Sequence, residues 1–321
     1  MKIVYIGSHL PHRLSWTPFS NPLLLRQLPA YAAYVECYCV EDAKAQLADA
    51  DVVFLENIRG LPFWQEIKTE IEAVPLVCAS YCDVWRQPWW FKYLRTDVNV
   101  VMTKAAALAA LPVTEHSKVY CAGYRTDAVD YNVERDIDII LWGDWHHLAY
   151  PFRMFIQQQH VNKWIEGQTP VTTTGFPRGL NIYEVELGGK KYKLGYVSRK
   201  FDYFGPALHQ LLSRCKIACT GPGWKKGIRI GTGKYYENPA CGTVVVSAIF
   251  DEMEELGFEH GKNVWLTDEE KFVTDLIYLL ETPELVQQIS KNGKELMQSR
   301  YTAVAQAAEF YKFLQEKTGK L

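Results

Sequence analysis

Chemistry concentrates in residues 227–246. Three glycines (Gly227, Gly231, Gly233) flank Arg229 and Thr232, and Lys234, Tyr235 and Glu237 follow at once. Glycine lets backbone N–H groups approach a ligand, and a helix start carries partial positive charge suited to a phosphate. Lys234 adds a full charge there. A carboxylate such as Glu237 can accept two hydroxyl protons at once, as a ribose diol requires. The same residues also make an ordinary loop–helix–strand corner, with a stop at Gly242 and a buried strand at 244–246.

The elements that would position this stretch are short. Apolar runs at 2–7, 35–40, 51–56, 76–79 and 99–103 read as strands, with helical or loop segments at 21–34, 43–48, 61–73 and 89–94. Short apolar strands spaced by crossovers imply a parallel sheet covered on both faces, so residues 1–130 read as a Rossmann-like domain. Ligands of such sheets sit beyond the strand C-terminal ends. One loop there carries His9, His12 and Arg13. Another carries Asp83, then Trp85, Trp89, Trp90 and Phe91 interleaved with Arg86, Lys92 and Arg95. Those aromatics suit either a stacking platform for a sugar or base, or the core of a helix.

Charged residues at 125–135 mark a hinge, and residues 131–300 form the second domain. It opens on a strand that ends at Gly143, followed by Asp144, His146 and a helix with Pro151 near its start. Arg153 either reaches a phosphate or lies on the helix surface. Runs at 182–187 and 192–197, joined by Gly188-Gly189, read as a hairpin. Arg199 and Lys200, entering the next helix, suit a diphosphate or a solvated loop. A strand at 216–220 leads to the glycine-rich stretch. Three amphipathic helices at 268–281, 284–297 and 302–316 close the chain.

With 321 residues, 48% of them hydrophobic, the chain can bury two moderate cores. A formal charge of -2 demands neither nucleic acid nor an anionic membrane as partner. The eight cysteines lack zinc-site spacing and read as reduced, buried thiols. His146 and His147 are adjacent, but neighbouring side chains rarely point the same way and no carboxylate-rich set accompanies them, so no metal is expected. No apolar run approaches the ~20 residues that span a bilayer, and the chain reads as cytoplasmic.

Longer wording narrows the reading. Lys-Tyr-Tyr-Glu-Asn-Pro-Ala-Cys-Gly-Thr (234–243), Leu-Gly-Phe-Glu-His-Gly-Lys-Asn (256–263), Asn-Gly-Lys-Glu-Leu (292–296) and Arg-Tyr-Thr (300–302) resemble the donor half of GT-B glycosyltransferases, in the CgeB-like and family-4-like branch. The resemblance covers about the last third of the chain well and the rest loosely. It implies an α/β fold with two Rossmann-like domains facing a cleft, and a C-terminal segment, 301–321, that packs back on the first domain. It also implies a nucleotide-diphosphate sugar as donor, a hydroxyl acceptor, retention of anomeric configuration, and no metal or other cofactor.

Gly143, Asp144, His146, Arg199, Lys200, Arg229, Gly231, Thr232, Gly233, Lys234, Tyr235 and Glu237 then fall on the donor side. His12, Arg13, Trp85 and Trp89 fall on the acceptor side, with Asp83 and His9 as the catalytic candidates. Two departures stand out. Family-4-like enzymes carry two glutamates separated by seven residues; Glu237 matches the second, and Arg229 stands where the first would be. They also place a His-Asp pair where this chain has Cys82-Asp83.

The acceptor stays open among a glycan, a small molecule and a modified DNA base. Two other activities fit the same architecture: a nucleotide- or glycan-binding protein without turnover, and a nucleotide-sugar epimerase. A nicotinamide-dependent dehydrogenase is disfavoured, because residues 7–12 are no G-x-G-x-x-G fingerprint.

Overall fold

The computed structural model describes residues 1–7, 26–56, 64–80, 94–101, 103–121, 126, 128–143, 148–171, 180–197 and 205–320. The chain divides into two compact units, Met1–Asp127 with Arg300–Leu321, and Ala128–Ser299.

Six parallel strands build the first unit: β1 (Lys2–Ile6), β2 (Ala33–Cys37), β3 (Val52–Glu56), β4 (Leu76–Ser80), β5 (Val98–Val101) and β6 (Val119–Cys121), in the order β2-β1-β3-β4-β5-β6. Side chains alternate across the sheet, so each strand feeds two cores. Val4, Ile6, Val53, Leu55 and Val77 pack on one face with Leu47 of α1 (Val40–Leu47) and Ile71 of α2 (Lys68–Ala73). Ile3, Tyr5, Val52, Phe54 and Leu76 pack on the other, where the C-terminal helix (Ala303–Thr318) supplies Ala307, Phe310 and Leu314. The Phe310 ring lies 6.1 Å from Phe54 and 5.2 Å from Tyr120. A further helix, α3 (Lys104–Ala110), follows β5.

Two sequence expectations shift here. At the described end of 21–34, read as helix or loop, residues 28–30 make a single 3-10 turn and β2 begins at Ala33. Pro29, with no N–H and a fixed φ, fits that short turn and not a helix interior. Strand β6 was hidden because its three residues are too few to show a period.

The second unit holds β7 (Ile137–Leu141), β8 (Leu180–Leu187), β9 (Lys190–Val197), β10 (Cys215–Cys219), β13 (Val244–Ser247) and β14 (Trp265–Leu266), in the order β14-β13-β10-β7-β9-β8. Every pairing is parallel except the β8–β9 hairpin. That hairpin turns on Gly188 and Gly189, both at positive φ, as the sequence pattern predicts.

After β7 the chain enters α4 (Pro151–Phe155), passes through a π-helical turn (Ile156–Val161) and ends in α5 (Asn162–Trp164). Helix α6 (Pro206–Ser213) precedes β10, and α7 (Lys234–Ala240) precedes β13. Helices α8 (Phe272–Glu281) and α9 (Pro283–Arg300) follow β14. The core on one face joins Ile139, Leu141, Ile217, Val244 and Val246 to Phe152, Phe272 and Leu276.

Strand order locates the crevice. From β7 the chain moves outward to β8 and β9; from β10 it moves the other way, to β13. The connections therefore diverge between β7 and β10, and in open α/β sheets ligands bind at that divergence, beyond the strand C-terminal ends. The loops opening there start at Trp142 and Thr220.

Candidate active site

Strand β7 delivers Trp142 and Gly143 to this edge. Gly143 has φ +95°, a conformation L side chains rarely adopt, and a Cβ placed on it would collide with the Lys234 ammonium. Glycine is therefore what lets the Lys234 side chain lie against the loop. The Lys234 Nζ sits 3.8 Å from the centroid of the Trp142 ring, and both residues are buried.

Helix α7 is buried along its whole length. Its first amide bonds are internal: Tyr235 N–H donates to Thr232 O at 3.0 Å, while Tyr236 and Glu237 donate to Gly233 O at 2.9 Å. Those three amides are spent on the turn. Asn238 is locked twice, accepting from the Trp142 indole N–H at 3.1 Å and donating to the Lys234 carbonyl at 2.7 Å. The second bond supports the helix where Pro239, which lacks an N–H, sits inside it.

Glu237 is only 4% exposed. Its charge, after burial itself, helps push the Cys241 thiol above its ordinary range. Tyr235 is fully buried, its ring centroid 4.6 Å from that of Phe250. Its hydroxyl is bonded to Ser247 and, at 3.3 Å, to Ala248 O. Burial raises the pKa of that phenol. Tyr235 thus serves the packing beneath α7.

Arg153, on α4, is neither a solvated surface residue nor an isolated one: it is 2% exposed. Its Nε donates to Gly221 O at 3.0 Å and its guanidinium to Thr232 Oγ1 at 2.9 Å. The same guanidinium lies 3.8 Å from the Tyr150 ring centroid. One buried cation therefore ties the helix after β7 to the loop after β10 and to the entry of α7.

The glycines of the glycine-rich stretch divide by role. Gly227 sits in a tight turn with Lys226, both at positive φ, joining β11 (Gly223–Lys225) to β12 (Ile228–Ile230). The glycine-rich stretch is at this point a two-residue hairpin, which the three-residue strands concealed in the sequence. Gly231 is a packing glycine, since a Cβ there would lie 2.8 Å from the Phe250 ring. Arg229 is salt-bridged to Asp251 at 3.2 Å, and its backbone N–H donates to the same carboxylate. Tethered in that way, its guanidinium is about two-fifths exposed.

The structure thus brings Gly143, Gly231, Thr232, Gly233, Lys234, Tyr235 and Glu237 to one edge of the second sheet, with Arg229 on the adjoining hairpin. Asp144, His146, Arg199 and Lys200 lie outside the described residues. So do His9, His12, Arg13, Asp83, Trp85 and Trp89. Sequence reasoning missed Trp142 and Asn238. A tryptophan between a buried strand and a glycine was the available signal, whereas nothing local marks Asn238. Among the described residues no group of three or more His, Cys, Asp and Glu side chains could hold a metal.

Residues 178–312 match a family model described as glycosyl transferase-like. Residues 178–312 carry a glycosyltransferase-like domain. Among curated proteins none matches it by sequence. Solved structures with a similar fold include Anabaena HepE in complex with UDP and glucose, 10% identical with a TM-score of 0.59, covering 98% of this chain and 100% of that one. Sucrose-phosphate synthase from Thermosynechococcus elongatus is 11% identical with a TM-score of 0.60, and each chain is covered in full at 100%. A glycosyltransferase from Rickettsia africae ESF-5 is 10% identical with a TM-score of 0.58, with 98% of both chains covered. At such identities the likeness is one of fold, and the fold is GT-B.

Within the glycosyltransferase-like domain, Gly242, Asn263 and Gly293 of the motif serve packing and loop closure. Gly293 of α9 makes room for Pro239, to which a Cβ would come within 3.0 Å. Ser290 donates to Gly242 O at 2.6 Å, and Asn263 closes its own loop by accepting from Glu259 N–H and donating to Gly257 O.

Proposed function

We propose that this glycosyltransferase moves a sugar from a nucleoside-diphosphate sugar to a hydroxyl acceptor, with the donor held where the loops after β7 and β10 diverge. The observation that carries this reading is the pair of buried cations there. Lys234 lies against Gly143, and Arg153 grips Thr232 and Gly221. Cationic side chains placed there can stabilise the negative charge that develops on a departing diphosphate. Each well-placed donor to developing phosphate charge is worth on the order of 2.7–4 kcal/mol in the transition state.

In this reading Lys234 meets the diphosphate directly. Arg153 fixes Thr232 and the Gly231–Gly233 entry and adds its field. Glu237 accepts from the ribose hydroxyls. Gly143, Asp144, His146, Arg199, Lys200 and Arg229 complete the donor side; His12, Arg13, Trp85 and Trp89 belong to the acceptor. We further propose retention without metal. The acceptor oxygen bonds to the anomeric carbon as the carbon–phosphate oxygen bond breaks, and the acceptor's proton passes to the leaving phosphate. Protein cations do the charge stabilisation a metal would otherwise do. Asp83 and His9 are the first residues to test for a part in that proton transfer.

HepE was solved with UDP, which makes UDP the first nucleotide to try, beside GDP and ADP. Calorimetry should show one of them binding the wild-type protein, and Glu237→Gln weakening it about tenfold or more, the scale of a hydrogen bond to a charged group. The 2′,3′-dideoxy form of the same nucleotide should bind wild type and variant alike. No binding by any of the three would overturn the proposal; an equal penalty with the dideoxy form would remove Glu237 from the ribose. Product anomers read by NMR test retention, and activity unchanged by EDTA tests metal independence.

A further inference from the structure

We propose that Trp142, locked by Asn238, is the positioning residue that presents the Lys234 ammonium to the donor's diphosphate; this rests on the nucleotide-sugar reading above. Four features converge on one nitrogen. The indole face lies under it, at 3.8 Å from ring centroid to Nζ. The indole N–H is fixed by Asn238 Oδ1 at 3.1 Å, so the ring cannot rotate without breaking a buried bond. The Asn238 amide in turn holds the Lys234 carbonyl at 2.7 Å, fixing the stem from which the ammonium hangs. Gly143, lacking a Cβ, leaves the space the ammonium fills.

A lysine stem has four rotatable carbons and loses much rotamer freedom when held in one place. An aromatic face holds an ammonium by its quadrupole and so narrows the positions the Lys234 Nζ can sample. Trp142 itself need not touch the ligand; it acts through Lys234.

The test is a double-mutant cycle on nucleotide affinity, read by calorimetry with whichever of UDP, GDP and ADP binds tightest and with the matching nucleoside. Trp142→Leu should weaken the diphosphate about tenfold, within the range of a desolvated cation–π contact, and leave the nucleoside within about twofold. In a Lys234→Met background the same substitution should cost nothing further for the diphosphate. Trp142→Phe, which keeps a ring beneath the ammonium and serves if the leucine variant does not fold, should retain most of the affinity and show the same non-additivity. Equal losses with and without Lys234, or equal losses for diphosphate and nucleoside, would make Trp142 a packing residue and overturn the inference while leaving the nucleotide site standing. No binding of any diphosphate to the wild type would remove both.

Discussion

Gly143 shows how much one missing methyl group decides. Its φ of +95° and its contact with Lys234 make it the position where the smallest substitution reaches furthest. Gly143→Ala should therefore lower nucleotide-diphosphate affinity at least as much as removing the lysine, by displacing the ammonium and straining the loop together. Calorimetry on Gly143→Ala beside Lys234→Met checks this. A different residue carries the clearest pH signature. In the first unit Glu36 accepts from Arg26 at 2.6 and 3.0 Å, from Tyr34 at 3.0 Å, and from Tyr38. The Arg26 guanidinium, ahead of opposing burial, lowers its pKa from 4.5 to about 2. A depressed carboxylate stabilises the fold above its unfolded value and loses that contribution as pH falls. The stability gap between wild type and Glu36→Gln should thus be constant above pH 4.5, shrink below it, and close near pH 2. Denaturant titrations at a series of pH values would show it.

At the scale of elements, the β11–β12 hairpin separates ligand chemistry from backbone chemistry. Gly227, at φ +83° with no atom near its absent Cβ, serves the turn alone. Gly227→Ala should cost about 1 kcal/mol of stability, roughly the αL penalty for an L residue, and leave nucleotide affinity unchanged. A fall in affinity would return that glycine to the ligand. Legibility in the sequence followed element length. The long, alternating β8–β9 pair and the three C-terminal helices announced themselves, because period and turn chemistry both had room to show. Three-residue strands such as β6, β11 and β12 could not, so nothing in the sequence separates the hairpin from the glycine-rich stretch around it. The chemistry of Lys234 and Glu237 was legible from type and spacing. Trp142 and Asn238 became visible only when folding brought β7 beside α7, ninety-six positions away in sequence.

At the scale of the molecule, the first unit is discontinuous. Its second core uses Ala307, Phe310 and Leu314 from the C-terminal helix. Phe310→Ala should cost about 3–5 kcal/mol, a large aromatic lost from a fully buried site, and thermal denaturation would register it. Among the described residues no helix is long and apolar enough to cross a membrane. The split core also sets an order of events on the ribosome. The strands of the first unit emerge early, yet one flank of their sheet lacks Ala307, Phe310 and Leu314 until the whole intervening unit has been made. The later-born unit can therefore mature first, and its compaction shortens the span the closing helix must bridge. A chain arrested before residue 303 would leave synthesis without that helix's share of the apolar cover, exposing surface of the kind chaperones and proteases recognise.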